Sequence, residues 1–86
     1  MPSLQGVKIY PNPAKDWAIV DLGRIPEDQV IFRLFDVSGK CVLTSQIPAM
    51  QKETVLDLRE VKYGLYILEI REKGSWSVTY EKVIVL

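Results

Sequence analysis

The residues able to do chemistry in this chain are few, and their spacing calls for none. There is no histidine. That removes the usual base of a catalytic triad, the usual proton shuttle and the commonest zinc ligand. Ser38 lies two residues after Asp36 in the run Asp36-Val37-Ser38-Gly39, but no base stands ready to take its proton. Cys41 is the one cysteine, so no intramolecular disulfide forms. With no imidazole to activate it, it reads as a small strand residue that packs like a hydrophobe. Asp16, Asp21, Glu27, Asp28 and Asp36 lack the alternate-residue spacing of a calcium loop. No glycine-rich phosphate loop occurs. The reading is a chain with no catalytic residues, no metal and no cofactor: not an enzyme.

Aromatic residues are the remaining candidates for a surface that does something. Trp17, Trp76, Tyr10, Tyr63 and Tyr80 include two surface aromatics, Trp17 and Trp76, of the kind that stack on sugars or anchor a protein. They support one reading of the chain: a carbohydrate- or protein-binding β-sandwich module appended to a secreted enzyme. The competing structural reading has them covering a sheet edge or the end of a core.

The elements that would position these residues are strands. Apolar and polar residues alternate with period 2, and helical periodicity is nearly absent. Seven strands are predicted, at 7–10, 17–22, 30–36, 41–47, 53–57, 65–72 and 77–85. Turn signals recur every 8–12 residues or so, as in a β-sandwich. The predicted fold is all-β: a seven-strand antiparallel sandwich, Ig-like. Alternation assigns the faces. Ala18, Val20 and Leu22 point inward and Trp17 and Asp21 outward. Phe32 and Leu34 point inward and Arg33 outward. Tyr66, Leu68 and Ile70 point inward, Glu69 and Arg71 outward. The last strand is apolar on both faces. Val78, Tyr80 and Ile84 share one with Lys82, while Val83 and Val85 share the other with Glu81.

Bulk properties agree with one small domain. A chain of 86 residues buries about 64% of its unfolded surface. The gain from that burial and the cost of ordering the chain are both on the order of 130 kcal/mol, so the surplus is small. Eleven basic residues balance eleven acidic ones, five of each sign in 1–43 and six of each in 44–86. Nucleic acid is therefore not an expected partner. No apolar run reaches 18 residues, so no membrane span is expected. Nothing at the start resembles a signal peptide.

Turn chemistry marks three places. Pro11 and Pro13 lack N–H groups and bias Tyr10 and Asn12 toward extended conformations, which predicts a stiff, extended exit from the first strand. Asp36-Val37-Ser38-Gly39 predicts a type I turn closed by a left-handed glycine, with Asp36 accepting backbone N–H groups. Leu58 to Gly64 predicts one helical turn that tucks in Leu58 and Val61, after which Gly64 reverses the chain. Gly74 is the expected left-handed residue of the last hairpin.

These phrases, in this order, resemble the C-terminal sorting domain of the type IX secretion system of Bacteroidota, type A. Tyr10-Pro11-Asn12-Pro13 matches the opening phrase of the family. Phe35-Asp36 with Gly39-Lys40 matches the second. Leu56-Asp57-Leu58, Val61 and Gly64-Leu65-Tyr66 match the third, and Lys82-Val83-Ile84-Val85 the last. The likeness runs from about Val7 to Leu86, where the family commonly carries a basic or polar residue after the last strand. It implies an Ig-like sandwich at 7–86, preceded at 1–6 by the end of a linker from an upstream cargo to which it is covalently joined. It also implies that the domain directs this cargo through the periplasm and across the outer membrane to the cell surface or the medium. The implied partners are the outer-membrane translocon and a surface sortase that then removes the domain, cutting around or upstream of Met1 to Gly6. Lys82, Val83, Ile84 and Val85 are the implied recognition candidates.

Overall fold

A computed structural model of the chain describes residues 6–86; the linker end and the cleavage region expected at residues 1–6 lie, but for Gly6, outside the described residues. Seven strands follow one another: β1 (Lys8–Tyr10), β2 (Trp17–Asp21), β3 (Val30–Phe35), β4 (Cys41–Ile47), β5 (Glu53–Asp57), β6 (Gly64–Glu72) and β7 (Val78–Val85). They form two antiparallel sheets, ordered β1-β2-β5 and β4-β3-β6-β7. The expected all-β sandwich is the fold observed, and no helix occurs among the described residues.

Alternation places the core where it was expected. Ala18, Val20 and Leu22 are fully buried, as are Phe32, Leu34, Leu68 and Ile70, and Tyr66 is nearly so. The two inner faces meet in one apolar cluster that also takes in Ile47, Leu56, Leu58, Val83 and Val85. β7 resolves its ambiguity this way: Val83 and Val85 fill the core, while Tyr80 and Ile84 remain exposed on the outer face. The apolar outer residues belong to a patch that continues across the register to Leu65 and Ile67 of β6.

Glu69 does lie on the outer face, yet it is buried. Arg33, opposite it in the β3–β6 register, lies over it and donates from Nε and Nη2 to Oε1 at 2.8 and 2.6 Å. Glu72 is a different case, because its register puts it on the inner face. Its carboxylate, 3% exposed, accepts from Arg24 Nη2 at 2.6 Å and from the backbone N–H groups of Glu27 and Asp28 at 3.2 Å. A buried carboxylate persists only with such partners. Glu72 thereby ties the β2–β3 loop over one end of the sandwich.

That end, the upper pole, holds the loops 22–29, 48–52 and 73–77. The chain enters β1 there, since Lys8 pairs with Asp21 at the far end of β2. β6, nine residues long and so about 30 Å, runs between the poles. The lower pole holds the loops 11–16, 36–40 and 58–63, with Leu86 beside them.

Candidate recognition pole

All four sequence phrases meet at the lower pole. Phe35 pairs with both Cys41 and Ile67, Gly64 with Val85, Ala14 with Val85 and Trp17 with Asp57. Residues far apart in the chain thus surround one end of the sandwich, away from the end where β1 begins.

The first phrase carries the chain from one sheet to the other. The chain bends at Pro11, Asn12 and Pro13, so the segment is not the extended exit expected. Its polar contacts are made to β7. Asn12 Nδ2 donates to the carbonyl of Lys82 at 2.8 Å, and its Oδ1 accepts from Ile84 N at 3.0 Å. Ala14 then donates to the carbonyl of Ile84 at 2.8 Å and accepts from Leu86 N at 2.7 Å. β7 is an edge strand, and an open edge invites unwanted pairing. The prolines have no N–H to offer it, so the Asn12 carboxamide stands in for a strand residue until Ala14 resumes backbone bonding.

The carboxamide supplies the donor and the acceptor on two separate atoms, as a strand residue's backbone does. Asn12→Ala is expected to cost about 1–2 kcal/mol, since two strand groups lose their partners. Asn12→Asp should cost more, because it sets a carboxylate oxygen against the Lys82 carbonyl. Thermal melts check the order, at roughly 4–8 °C per kcal/mol for a domain of this size. Equal melting of the two variants would contradict this account of Asn12.

The second phrase makes the expected turn. Asp36 N donates to the Lys40 carbonyl at 2.9 Å and Gly39 N to the Asp36 carbonyl at 3.0 Å. Asp36 Oδ1 accepts from Ser38 N, Ser38 Oγ and Lys40 N. These bonds, the Ser38 hydroxyl foremost, lower the pKa of Asp36. Ser38 is thus committed to the turn. Gly39 has φ 88°, and a bulge follows at the Leu34/Phe35 register shift.

The third phrase forms a turn, not a helix. Its one backbone bond of that kind runs from Val61 N to the Leu58 carbonyl at 2.9 Å. Leu58 is buried and Val61 packs on the core, so the tuck is made without the helical turn expected. Asp57 and Tyr66 hold the loop from its two ends, which leaves no need for further helical bonds. Tyr66 donates its hydroxyl to the Lys62 carbonyl at 2.6 Å. Asp57 accepts from Arg59 N at 3.1 Å and Nε at 2.9 Å, and its Oδ2 from Arg59 Nη2 at 2.7 Å. A crevice of about 260 Å³ separates this loop from the second phrase, between Asp36 and Lys40 on one side and Glu60, Lys62 and Tyr66 on the other.

The Arg59 side-chain bonds lower the Asp57 carboxyl to about 2. A depressed folded-state pKa adds stability that is present above the ordinary carboxylate range near 4 and lost as pH falls through about 2. The pair is exposed, so solvent keeps this contribution small. A carboxyl-detected titration should find Asp57 near 2, and Arg59→Ala should return it toward the ordinary value. An unmoved titration would mean that the fork does not form in solution.

Of the last phrase, Lys82 and Ile84 face solvent, while Val83 and Val85 are core. The two tryptophans do not share a surface. Trp17, half exposed, begins β2 at the lower pole, and Trp76, 99% exposed, lies in the upper loop before β7. The roles of Asn12, Ala14 and Glu72 went unread in the sequence. Only the placement of Asn12 between two residues without N–H groups hinted at its own.

Among the described residues, no group of histidine, cysteine, aspartate or glutamate side chains could hold a metal ion, and no helix is long and apolar enough to cross a membrane. The family model for the secretion system C-terminal sorting domain matches residues 8–86. The chain belongs to this family. Its role is that of a secretion signal, and the phrases at the lower pole are those on which the resemblance rested. Among solved structures the sorting domain is similar to PorZ, described as an essential bacterial surface component of the type IX secretion system of the human oral bacterium Porphyromonas gingivalis. The identity is 20% and the TM-score 0.75, over 98% of this chain and 12% of PorZ. At that identity the likeness bears on the fold, and the sorting domain spans only about an eighth of PorZ's length. No curated protein matches it.

Proposed function

We propose that this domain is the address by which an upstream cargo crosses the outer membrane through the type IX secretion system. In transit it passes through the periplasm. Its partners are the outer-membrane translocon, which reads it, and a surface sortase, which then removes it and leaves the cargo at the cell surface or in the medium. The domain is the substrate of that sortase and catalyses nothing itself. The observation that carries the reading is the gathering of all four family phrases at the pole opposite the start of β1. A cargo joined ahead of β1 leaves that pole free for a reader. Lys82 and Ile84 are the members of the last phrase that a partner of the folded domain can touch. Val83 and Val85 act through the core.

The test is a periplasmic reporter joined through the natural upstream linker to this domain in a type IX-competent bacterium. Export to the surface or medium is expected. Lys82→Glu, at an exposed position of β7, should reduce export while melting stays within a few degrees of wild type. Deleting Val78 to Leu86 should trap the reporter. Retention of the intact fusion, where a known sorting tail exports the same reporter, would overturn the reading.

A further inference from the structure

The outer face of the β1-β2-β5 sheet carries a depression at the lower pole, beside the third phrase. It has a volume of about 440 Å³ and is lined by Asp16, Trp17, Val55, Asp57 and Arg59, which lies within the usual range for small-ligand sites. Trp17 and Asp57 face each other across the β2–β5 ladder, and Val55 is opposite Ile19, one step along the same face. The indole therefore forms one wall, Val55 lies in the floor, and the Asp57–Arg59 fork forms the other wall. Trp17 is 50% exposed and Val55 58%, so no described residue closes the depression.

We infer that this depression binds a neutral carbohydrate, one or two sugar rings in extent. A pyranose has an apolar face of C–H groups and a rim of hydroxyls, each both donor and acceptor. The depression presents the matching surfaces. The indole face and Val55 offer apolar area for the ring. The fork offers polar groups of both kinds. Asp57 Oδ2 keeps a lone pair beyond the one used by Arg59 Nη2, Oδ1 being taken up by Arg59 N and Nε, and Arg59 Nη1 makes no bond of its own among the described residues. Asp16, whose carbonyl accepts from Leu58 N at 2.9 Å, adds a second carboxylate beside the ring.

Charge selects the class of sugar. Two carboxylates against one guanidinium leave the site with one net negative charge, so uronic and sialic acids are disfavoured. The guanidinium is already matched by Asp57 at 2.7 Å, so a ligand gains more from hydroxyls than from a charge of its own. The fork is also set in place before binding, which lowers the cost of ordering side chains when the sugar arrives. Asp57 stays ionised far below neutrality, so binding should be level between pH 5 and 8.

The test of this site needs no secretion. The full chain bearing Trp76→Phe leaves Trp17 as the one indole. It is titrated with maltose, cellobiose, mannobiose and galactobiose, with fluorescence read against free N-acetyltryptophanamide. A saturable change with at least one disaccharide is expected, with a dissociation constant in the millimolar range. Amide shifts on the wild-type chain should cluster at 16–19 and 55–59. Trp17→Ala should weaken the binding read by NMR at least tenfold, and Arg59→Ala should weaken it several-fold while keeping the indole reporter. Should Trp17→Ala fail to fold, Arg59→Ala still decides. No saturable response at 50 mM of any sugar, a response shared with free tryptophanamide, or undiminished binding in Arg59→Ala would each overturn the inference.

Discussion

Phe32→Ala is expected to lower the stability of the domain by about 3–5 kcal/mol, the usual range for truncating a buried aromatic ring. Phe32 is 1% exposed and lies at the centre of the apolar cluster. It sits in β3, which is paired on both sides, with β4 and with β6, so the backbone around it has little freedom to collapse into the space left behind. The cost then combines the lost transfer energy with an unfilled cavity. A chain of 86 residues is stable by only about 4–13 kcal/mol, so the loss takes a large share of the total. Tyr66→Ala should fall in the same range, because it removes a buried ring and also the hydroxyl bond to Lys62. Tyr66→Phe separates the two parts and should cost about 1 kcal/mol, the net value of one hydrogen bond. Urea unfolding curves for the three variants measure this directly. If both alanine variants melt within a few degrees of wild type, the inward faces of β3 and β6 are misassigned.

The face assignments tested in that way were legible because alternation is a local signal. In β2 and β3 each charged residue marks the outward face, as Glu69 and Arg71 do in β6, so one reading fits and the opposite buries a charge; Glu72, at the end of β6, is the exception. Leu22 shows the same logic past the end of its strand: it follows β2, yet is fully buried and bonds to the Lys52 carbonyl. In β7 the signal failed because both faces are apolar. Which one is core depends on the opposite sheet, and only the assembled sandwich turns Val83 and Val85 inward. The turns at Asp36–Lys40 and Lys73–Ser75 were legible because aspartate and glycine act on their own backbone. The 58–63 loop was less so, because its shape is set by two groups that hold it from outside, Asp57 and the Tyr66 hydroxyl. Asn12 and Glu72 lay beyond a sequence reading. Their partners are 70 or more residues away for Asn12 and 44 to 48 for Glu72. The gathering of the phrases at one pole is likewise a property of topology, since it needs the strand order of both sheets.

Gly64 is where a small substitution should do the most damage at the lower pole. It opens β6 opposite Val85 and has φ +152°. That backbone region is essentially closed to residues with a Cβ. A Cβ added there would meet the Tyr66 ring at 3.7 Å, an ordinary contact, so crowding is not the obstacle. The penalty lies in the backbone itself, on the order of 1–3 kcal/mol for a strained residue and at the upper end or beyond for a β-branched one. The chain cannot escape by rotating, because β6 must pair with β7 from Gly64 onward and Tyr66 must reach back to Lys62. Gly39 provides the contrast. Its φ of +88° lies near the left-handed region that asparagine tolerates, and a Cβ there meets nothing within 4 Å. Gly39→Asn should therefore cost less than about 1 kcal/mol, whereas Gly64→Asn should lose about 2 kcal/mol or more and Gly64→Val more still. Calorimetry on the three variants orders them, and amide exchange should show Gly64→Val opening the β6–β7 ladder from the lower pole first. Equal tolerance of asparagine at both positions would mean that Gly64 is held for some reason other than its backbone conformation.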